Sequence, residues 1–202
     1  MSSNTDLRLS KTLSYVLRHK ATDEGLNIDK KGYVKLSELL QNHLFRNKYT
    51  VEDIKRVVVD NDKQRFNLKD CNGELAICAT QGHSISAVSI ECFTPIKTNQ
   101  PFDIIHGTYF KNWLNIKEKG LSRMSRNHIH FAKGLPGDPA VNSGIRRNAQ
   151  VFIYVNLDLA LAEGIKFYES LNAVILSPGD ENGIILPKYF LKVTTNTHQK
   201  LM

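Results

Sequence analysis

Two short stretches set polar and cation-capable side chains directly against apolar runs. In Ile105-His106-Gly107-Thr108-Tyr109-Phe110, a histidine precedes a glycine at a strand end. The missing Cβ of Gly107 would leave backbone donors uncovered, so a flat or anionic ligand could come close. The second stretch is Ser125-Arg126-Asn127-His128-Ile129-His130-Phe131-Ala132. If extended, it puts Arg126, His128 and His130 on one face and Asn127, Ile129 and Phe131 on the other. A face of that kind suits an anion. The i,i+2 histidines could in principle meet a metal, but no nearby carboxylate or thiolate completes a ligand set, so no metal is expected.

A third candidate pair, Arg18-His19, follows Leu9, Leu13, Val16 and Leu17, whose spacing predicts an amphipathic helix over about residues 8–20. At the end of a helix two cations either complement the dipole or meet an anion. Spacing leaves both readings open. Asp29-Lys30-Lys31-Gly32 reads as a turn, and Val34 to Asn42 as a second short helix. Thr50 and Asp53 form a weak capping box ahead of a third helix, which carries Val51, Ile54, Val57 and Val58 and ends near Asp60. The pattern then changes to strands, Arg65 to Leu68 and Glu74 to Ala79, joined through Asn72-Gly73, a strong hairpin signal. Three helices followed by a hairpin is the order of a winged helix, a module that docks nucleic acid. Arg65 would begin the wing, and Gln81-Gly82-His83-Ser84 would follow it as a polar loop.

Pro95 to Pro101 has linker composition and divides the chain into expected domains 1–95 and 96–202. Beyond it, Tyr109 to Lys119 reads as a helix carrying Phe110, Trp113, Leu114 and Ile116 and stopped by Gly120, with Trp113 in the core. Residues 133–139 make a Gly- and Pro-rich irregular loop. Ser143-Gly144-Ile145-Arg146-Arg147 follows, then Val151-Phe152-Ile153-Tyr154-Val155, an apolar run that should be central to a sheet. Leu157 to Glu163 is a short helix, and Phe167-Tyr168, Val174 to Leu176 and Ile184 to Leu186 are short strands. The fold class is α+β, with a mostly antiparallel sheet in the second half.

Composition narrows the partners. The 202 residues are 41% hydrophobic, enough for a proper core, and Lys+Arg 27 against Asp+Glu 20 gives a net charge of +7. That balance favours RNA, DNA or a phosphate-rich substrate. Cys71, Cys78 and Cys92 are odd in number and form no C-x-x-C pair, so reduced thiols are expected. No apolar run approaches the roughly 18 residues that cross a bilayer, and Met1 to Leu9 is too polar for a secretory leader. A soluble, intracellular protein with no obligate protein partner is expected. G-x-G-x-x-G and Walker loops are absent, so neither a Rossmann nor a P-loop nucleotide site is supported.

Taken together, these motifs resemble the NAD-dependent tRNA 2′-phosphotransferase family. The resemblance runs through Leu-Ser-Lys-x-Leu-Ser-Tyr-x-Leu-Arg-His at 9–19, Asn-Asp-Lys-Gln-Arg-Phe at 61–66 and Gln-Gly-His-Ser at 81–84. It continues in His-Gly-Thr at 106–108, Ser-Arg-Asn-His-Ile-His at 125–130 and Ser-Gly-Ile-Arg at 143–146. It implies an N-terminal winged-helix RNA-binding lobe and a C-terminal ADP-ribosyltransferase-like NAD-binding lobe, with the active cleft between them. It also implies transfer of the internal 2′-phosphate of spliced tRNA, or another RNA, to NAD. Arg18, His19, Arg65 and Arg126 match the family's catalytic set, while His106, Gly107, Thr108, Ser125 and His130 match positions that hold NAD. Gln81, His83 and Arg146 are further candidates for contact with substrate or anion.

Two departures accompany the resemblance. Cys78 stands where many relatives carry an arginine. The stretch matching the third ADP-ribosyltransferase signature, Leu171-Asn172-Ala173-Val174, has no glutamate, and nearby Glu169 is not expected to replace it. A phosphate nucleophile is already anionic and needs no base. A mono-ADP-ribosyltransferase and a non-catalytic RNA- or ADP-ribose-binding protein are the competing expectations.

Overall fold

The computed structural model describes residues 4–71, 73–139 and 141–202. The chain divides into two compact units, Met1–Cys92 and Phe93–Met202. Both mix helices with strands, and every strand pairing among the described residues is antiparallel.

In the first unit, α1 (Asn4–Tyr15) buries Leu9 and Leu13 and runs directly into a π-turn, Val16–Lys20, which buries Val16 and Leu17. The apolar stripe is the one the spacing predicts, but the helix starts earlier and its last turn is wider than an α-turn. Strand β1 (Tyr33–Lys35) precedes α2 (Leu36–Gln41). The expected helix over 34–42 is therefore corrected at its start. Val34 pairs with Ile77, and burial on a sheet outweighs helical spacing there. Helix α3 (Val51–Val59) begins at a true capping box, in which Thr50 Oγ1 accepts from the Asp53 amide at 3.2 Å and Asp53 Oδ2 accepts from the Thr50 amide at 2.9 Å.

Strands β2 (Phe66–Cys71) and β3 (Glu74–Ala79) pair in register from Phe66–Ala79 to Cys71–Glu74. Of the Asn-Gly hairpin signal, Asn72 lies outside the described residues, and Gly73 has the positive φ (+85°) such a turn needs. The sheet order is β1-β3-β2. One face of the sheet packs Val34, Phe66, Ile77 and Ala79 against the helices. The other carries Tyr33, Ala76 and Cys78 as a separate small cluster.

The second unit opens with β4 (Thr94–Pro95), which pairs with β9 (Tyr168–Glu169). Pro95 is thus not linker but the edge of a sheet, the one sheet position where a missing N–H costs no ladder bond. Strand β5 (Ile104–Thr108) leads to α4 (Phe110–Lys119), which buries Trp113 and ends at Gly120 (φ +88°). Then come β6 (Leu121–Ser122), β7 (Ile129–Phe131), β8 (Val151–Val155), α5 (Leu157–Ala162), β10 (Ile175–Ser177), β11 (Ile184–Ile185) and β12 (Phe190–Thr195).

The strands form sheets of order β4-β9-β10-β7, β11-β6 and β12-β8-β5. Strand β8 is central and wholly buried, as its apolar run predicts. Strand β12 escapes notice in the sequence because a register shift between Phe190 and Lys192 breaks its alternation. An isolated bridge between Ile105 and Ala132 ties β5 to the end of β7 and so brings the two opening motifs together. Phe131 and Phe167, 5.9 Å apart between ring centroids, lie in the core that these strands share.

Candidate functional site

In the first unit, the segment Thr80–Ser84 gathers three of the four candidate catalytic residues. The Ser84 amide donates to the Arg18 carbonyl at 2.9 Å, and Ser84 Oγ lies 2.9 Å from His19 Nδ1. Gly82, at φ +90°, lies under the Arg18 side chain, where a Cβ would come within 3.4 Å of Arg18 Cδ and Nε. At the other end, the Thr80 amide donates to the Arg65 carbonyl at 2.9 Å, and Thr80 Oγ1 donates to the Gln64 carbonyl at 3.0 Å. Asn61 Oδ1 accepts from both the backbone amide and Nη1 of Arg65, each at 3.2 Å.

The Gln81-Gly82-His83-Ser84 segment is not an exposed polar loop. Gln81 is 8% exposed and His83 1%. A Cβ at Gly32 would lie 3.0 Å from His83 Nε2, so the His83 ring is packed onto the turn that precedes β1. Both side chains are enclosed within the unit, a placement that suits bracing the segment. Cys78, two residues before Thr80, is buried against Tyr33, and burial raises its thiol pKa to about 11. It is a protonated, inert thiol at neutral pH.

In the second unit, His106 Nδ1 lies 2.9 Å from the His130 carbonyl. A carbonyl only accepts, so Nδ1 carries the proton and Nε2 is the basic nitrogen. Enclosure of the ring pushes the His106 pKa down, and the bond to His130 opposes that shift only in part. His106 is therefore a neutral imidazole at pH 7, set edge-on to Phe131 with centroids 5.9 Å apart. Thr108 Oγ1 accepts from Asn112 at 3.3 Å, and its carbonyl accepts from the Gln150 amide at 2.8 Å.

The expectation that Gly107 bares its backbone for a ligand is corrected. A Cβ there would overlap Ile145 Cγ1 and lie 2.8 Å from its Cδ1 and 3.0 Å from Ala149 Cβ. Glycine is required because Ile145 fills that space. Gly144, at φ +90°, presses equally closely on the Phe131 carbonyl, where a Cβ would lie 2.7 Å from the oxygen. Ser143-Gly144-Ile145-Arg146 is thus laid across the end of β7 and the middle of β5. Arg146, exposed at its end, donates from Nη1 to Tyr109 Oη at 3.2 Å and lies 5.7 Å from that ring's centroid.

The expected common face of Arg126, His128 and His130 is also corrected. Only Ile129–Phe131 is strand. Ser125 and Arg126 lie in a turn in which the Arg126 amide donates to the Arg123 carbonyl at 3.1 Å and Met124 takes φ +55°. Ser125 and Arg126 are exposed, whereas His128 is 4% exposed and edge-on to Phe93. Burial and then the charge of Arg123 lower the His128 pKa to about 4. It is a core histidine. Arg126 is exposed as a residue, yet its guanidinium is partly enclosed, and that enclosure followed by the charge of Arg146 lowers its pKa. Two guanidinium groups that sense each other mark an electropositive site suited to an anion.

Glu169 is held at 2.7 Å by Lys133, whose ammonium also lies 4.5 Å from the Phe102 ring centroid. The Leu171–Val174 stretch is a tight turn closed by Ser170 Oγ, which donates to the Val174 carbonyl at 3.0 Å and accepts from its amide at 3.1 Å. Among the described residues, no group of three or more His, Cys, Asp or Glu side chains could hold a metal, and no helix is long and apolar enough to cross a membrane.

Three further residues support these groups. Ser84 and Asn61 stand inside the Gln-Gly-His-Ser and Asn-Asp-Lys-Gln-Arg-Phe motifs, which are the sequence signal for them. Arg123 has no such signal. Its Nη1 donates to the Arg126 carbonyl at 2.9 Å, and its side chain crosses Gly183, which has no room for a Cβ.

The family described as RNA 2′-phosphotransferase, Tpt1 / KptA family, matches residues 4–179. The chain is 46% identical to tRNA 2′-phosphotransferase 1 of Danio rerio over 191 residues, which cover 92% of this chain and 84% of the relative. It is 45% identical to the tRNA 2′-phosphotransferase of Saccharomyces cerevisiae over 180 residues, covering 85% and 78% of the two chains. A probable RNA 2′-phosphotransferase of Burkholderia pseudomallei is 35% identical over 172 residues, covering 85% and 89%.

Proposed function

The chain belongs to the RNA 2′-phosphotransferase, Tpt1 / KptA family, and we propose that it removes the internal 2′-phosphate of spliced tRNA, or of another RNA, with NAD as the acceptor. The enzyme is an RNA 2′-phosphotransferase. In the first step a 2′-phosphate oxygen bonds to the anomeric carbon of the nicotinamide ribose as the bond to nicotinamide breaks. In the second, the ribose 2″-hydroxyl bonds to phosphorus as the bond to the RNA 2′-oxygen breaks. The products are 2′-OH RNA, ADP-ribose 1″,2″-cyclic phosphate and nicotinamide.

The first unit, read as a winged-helix RNA-binding domain, supplies Arg18, His19 and Arg65. The two arginine forks neutralise and orient the 2′-phosphate and the charge that builds on it during transfer. His19, its ring plane set by Ser84, hydrogen-bonds the transferring group and supplies a proton to the RNA 2′-oxygen as it leaves. The second unit, read as an ADP-ribosyltransferase-like NAD domain, supplies His106, Thr108, Ser125 and His130 to hold NAD. Gly107 allows the Ile145 loop to pack, and Arg126 meets the phosphate. A neutral His106 fits this role, since it offers a lone pair to an amide or ribose hydroxyl without a charge beside the positive nicotinamide ring. Arg146, bonded to Tyr109, adds positive potential for the pyrophosphate.

The observation that carries this reading is the tie made by Thr80–Ser84, which bonds to Arg18, His19 and Arg65 within one unit. Scattered surface cations would have no reason to share one backbone brace. The test is to incubate the protein with a 2′-phosphorylated RNA oligonucleotide and NAD and to separate the products. Loss of the 2′-phosphate with equimolar release of nicotinamide is expected. An RNA that keeps its 2′-phosphate while no nicotinamide appears overturns the proposal, and a stable ADP-ribosylated product in place of cyclic phosphate points to a mono-ADP-ribosyltransferase.

A further inference from the structure

Asn61 Oδ1 accepts two hydrogen bonds from one residue, from the Arg65 amide and from Arg65 Nη1, each at 3.2 Å. The Arg65 side chain is thereby folded back and fastened to the turn that precedes β2. The turn that makes this possible is pinned at three further points. The Asn61 carbonyl accepts from the Gln64 amide at 2.7 Å, Gln64 is held at φ +45°, and Thr80 bonds to both the Gln64 and Arg65 carbonyls. A non-glycine residue in the left-handed region costs about 1 kcal/mol or more, so its surroundings must hold it there.

The acceptor in this arrangement is an amide. An aspartate could accept the same two bonds, and aspartate favours this kind of turn as much as asparagine does. It would also form a charge-assisted pair with the guanidinium, about twice as strong as a neutral bond. That pair would cancel much of the positive field that an incoming phosphate senses. We infer that Asn61 is a positioning residue for Arg65, orienting the guanidinium through a neutral acceptor so that it meets the phosphate aligned and with its charge uncompensated. The inference rests on the proposed reaction, and it adds a reason for the residue type at a position bonded to Arg65.

The experiment uses the full chain carrying Asn61→Ala, Asn61→Asp or Asn61→Ser, with 2′-phosphorylated RNA and NAD. Asn61→Ala frees the side chain and should lower kcat by about tenfold to hundredfold, the usual cost of a misplaced reacting group. Asn61→Asp keeps the turn, so its Tm should match the wild type within about 3 °C, yet kcat should still fall by about tenfold through charge pairing. Asn61→Ser, with a side chain too short to hold both donors, should lose kcat as Asn61→Ala does, and in all three variants KM for NAD should stay within about twofold, because uniform binding of the second substrate is untouched.

A purely structural asparagine predicts the opposite for Asn61→Asp, namely wild-type kcat at wild-type Tm, and that result overturns the inference. So does wild-type kcat in Asn61→Ala. If Asn61→Ala does not fold, Asn61→Asp and Asn61→Ser carry the test. The wild-type control separates the two levels. A wild type that turns over beside unaffected variants sinks only the role of Asn61, whereas a wild type that leaves the 2′-phosphate in place sinks the reaction itself and this inference with it.

Discussion

Ser84 Oγ lies 2.9 Å from His19 Nδ1, while the amide of the same Ser84 donates to the carbonyl of Arg18 at 2.9 Å. One residue thus fixes the backbone of an arginine and the ring of the histidine beside it. Ser84→Ala should lower kcat by about tenfold or more, within the range that general acid catalysis contributes. Its cost in stability should be about 1 kcal/mol, the net worth of one hydrogen bond. Ser84→Thr keeps the hydroxyl and should retain most activity. Steady-state kinetics beside urea denaturation check both values, and a fully active Ser84→Ala removes His19 orientation from the mechanism.

Arg65→Ala should leave the fold intact and stall or abolish turnover. Loss of one preorganised donor to developing charge costs roughly hundredfold or more in kcat. Arg65→Lys should recover little, because a point ammonium cannot reproduce a fork held by Asn61. Product chromatography over a time course, with circular dichroism as the folding control, decides the matter.

Gly107→Ala should destabilise the protein by about 1–3 kcal/mol, since the new methyl group overlaps Ile145. Combining it with Ile145→Ala should cost less than the sum of the two single changes, because Ile145→Ala vacates the space that the new methyl group fills. Chemical denaturation of the four proteins in this cycle measures the coupling. Simple additivity would mean that the two side chains do not share that space.

Stability should fall on mild acidification, partly because of His128. Its folded pKa of about 4 lies below the ordinary imidazole value of 6.5. The unfolded chain therefore binds a proton as pH drops through 6.5, while the folded chain does not until about 4. The loss begins near pH 6.5 and is complete near 4, and His106, also shifted down by burial, adds to it in the same direction. Between pH 6.5 and 5 the contribution of His128 amounts to about 1.5 kcal/mol, short of 1.36 kcal/mol per unit throughout because the unfolded histidine is only half protonated at the start of the interval. His128→Gln should show a shallower decline over that interval. Unfolding free energies at several pH values compare the two slopes.

Glu169→Gln should keep nearly full turnover. Its carboxylate is paired with Lys133 at 2.7 Å, and a phosphate nucleophile needs no base. The stability change should stay within about 1 kcal/mol, as for partly exposed ion pairs. A large fall in kcat would give Glu169 a catalytic role after all.

Much of the fold could be read from the sequence wherever one periodicity dominated. The stripe Leu9, Leu13, Val16, Leu17, the capping box at Thr50 and the buried run Val151–Val155 each follow from a single local rule. The residues that failed were those whose state is set by distant partners. Val34 obeys helical spacing but is claimed by Ile77 across the sheet. Pro95 reads as linker until Tyr168 pairs with it. At the candidate site, motif order identified the charged residues, but nothing local could show that Gly107 exists for Ile145, or that His128 faces the core while His130 lends its carbonyl to His106. Those facts depend on the Ile105–Ala132 bridge, which joins residues far apart in the chain.

The π-turn at Val16–Lys20 carries a consequence for how this region can change. An α-helix advances about 100° per residue, and the wider turn takes in one residue more than that pace requires. Removing that extra residue would restore the ordinary pace and leave the stripe of α1 and the chain after Lys20 on nearly the faces they have now, because the wider turn already absorbs it. What the deletion would disturb is the turn itself, where Arg18 and His19 sit. A change in the length of this stretch would thus fall on the two cations and spare the helix that leads to them.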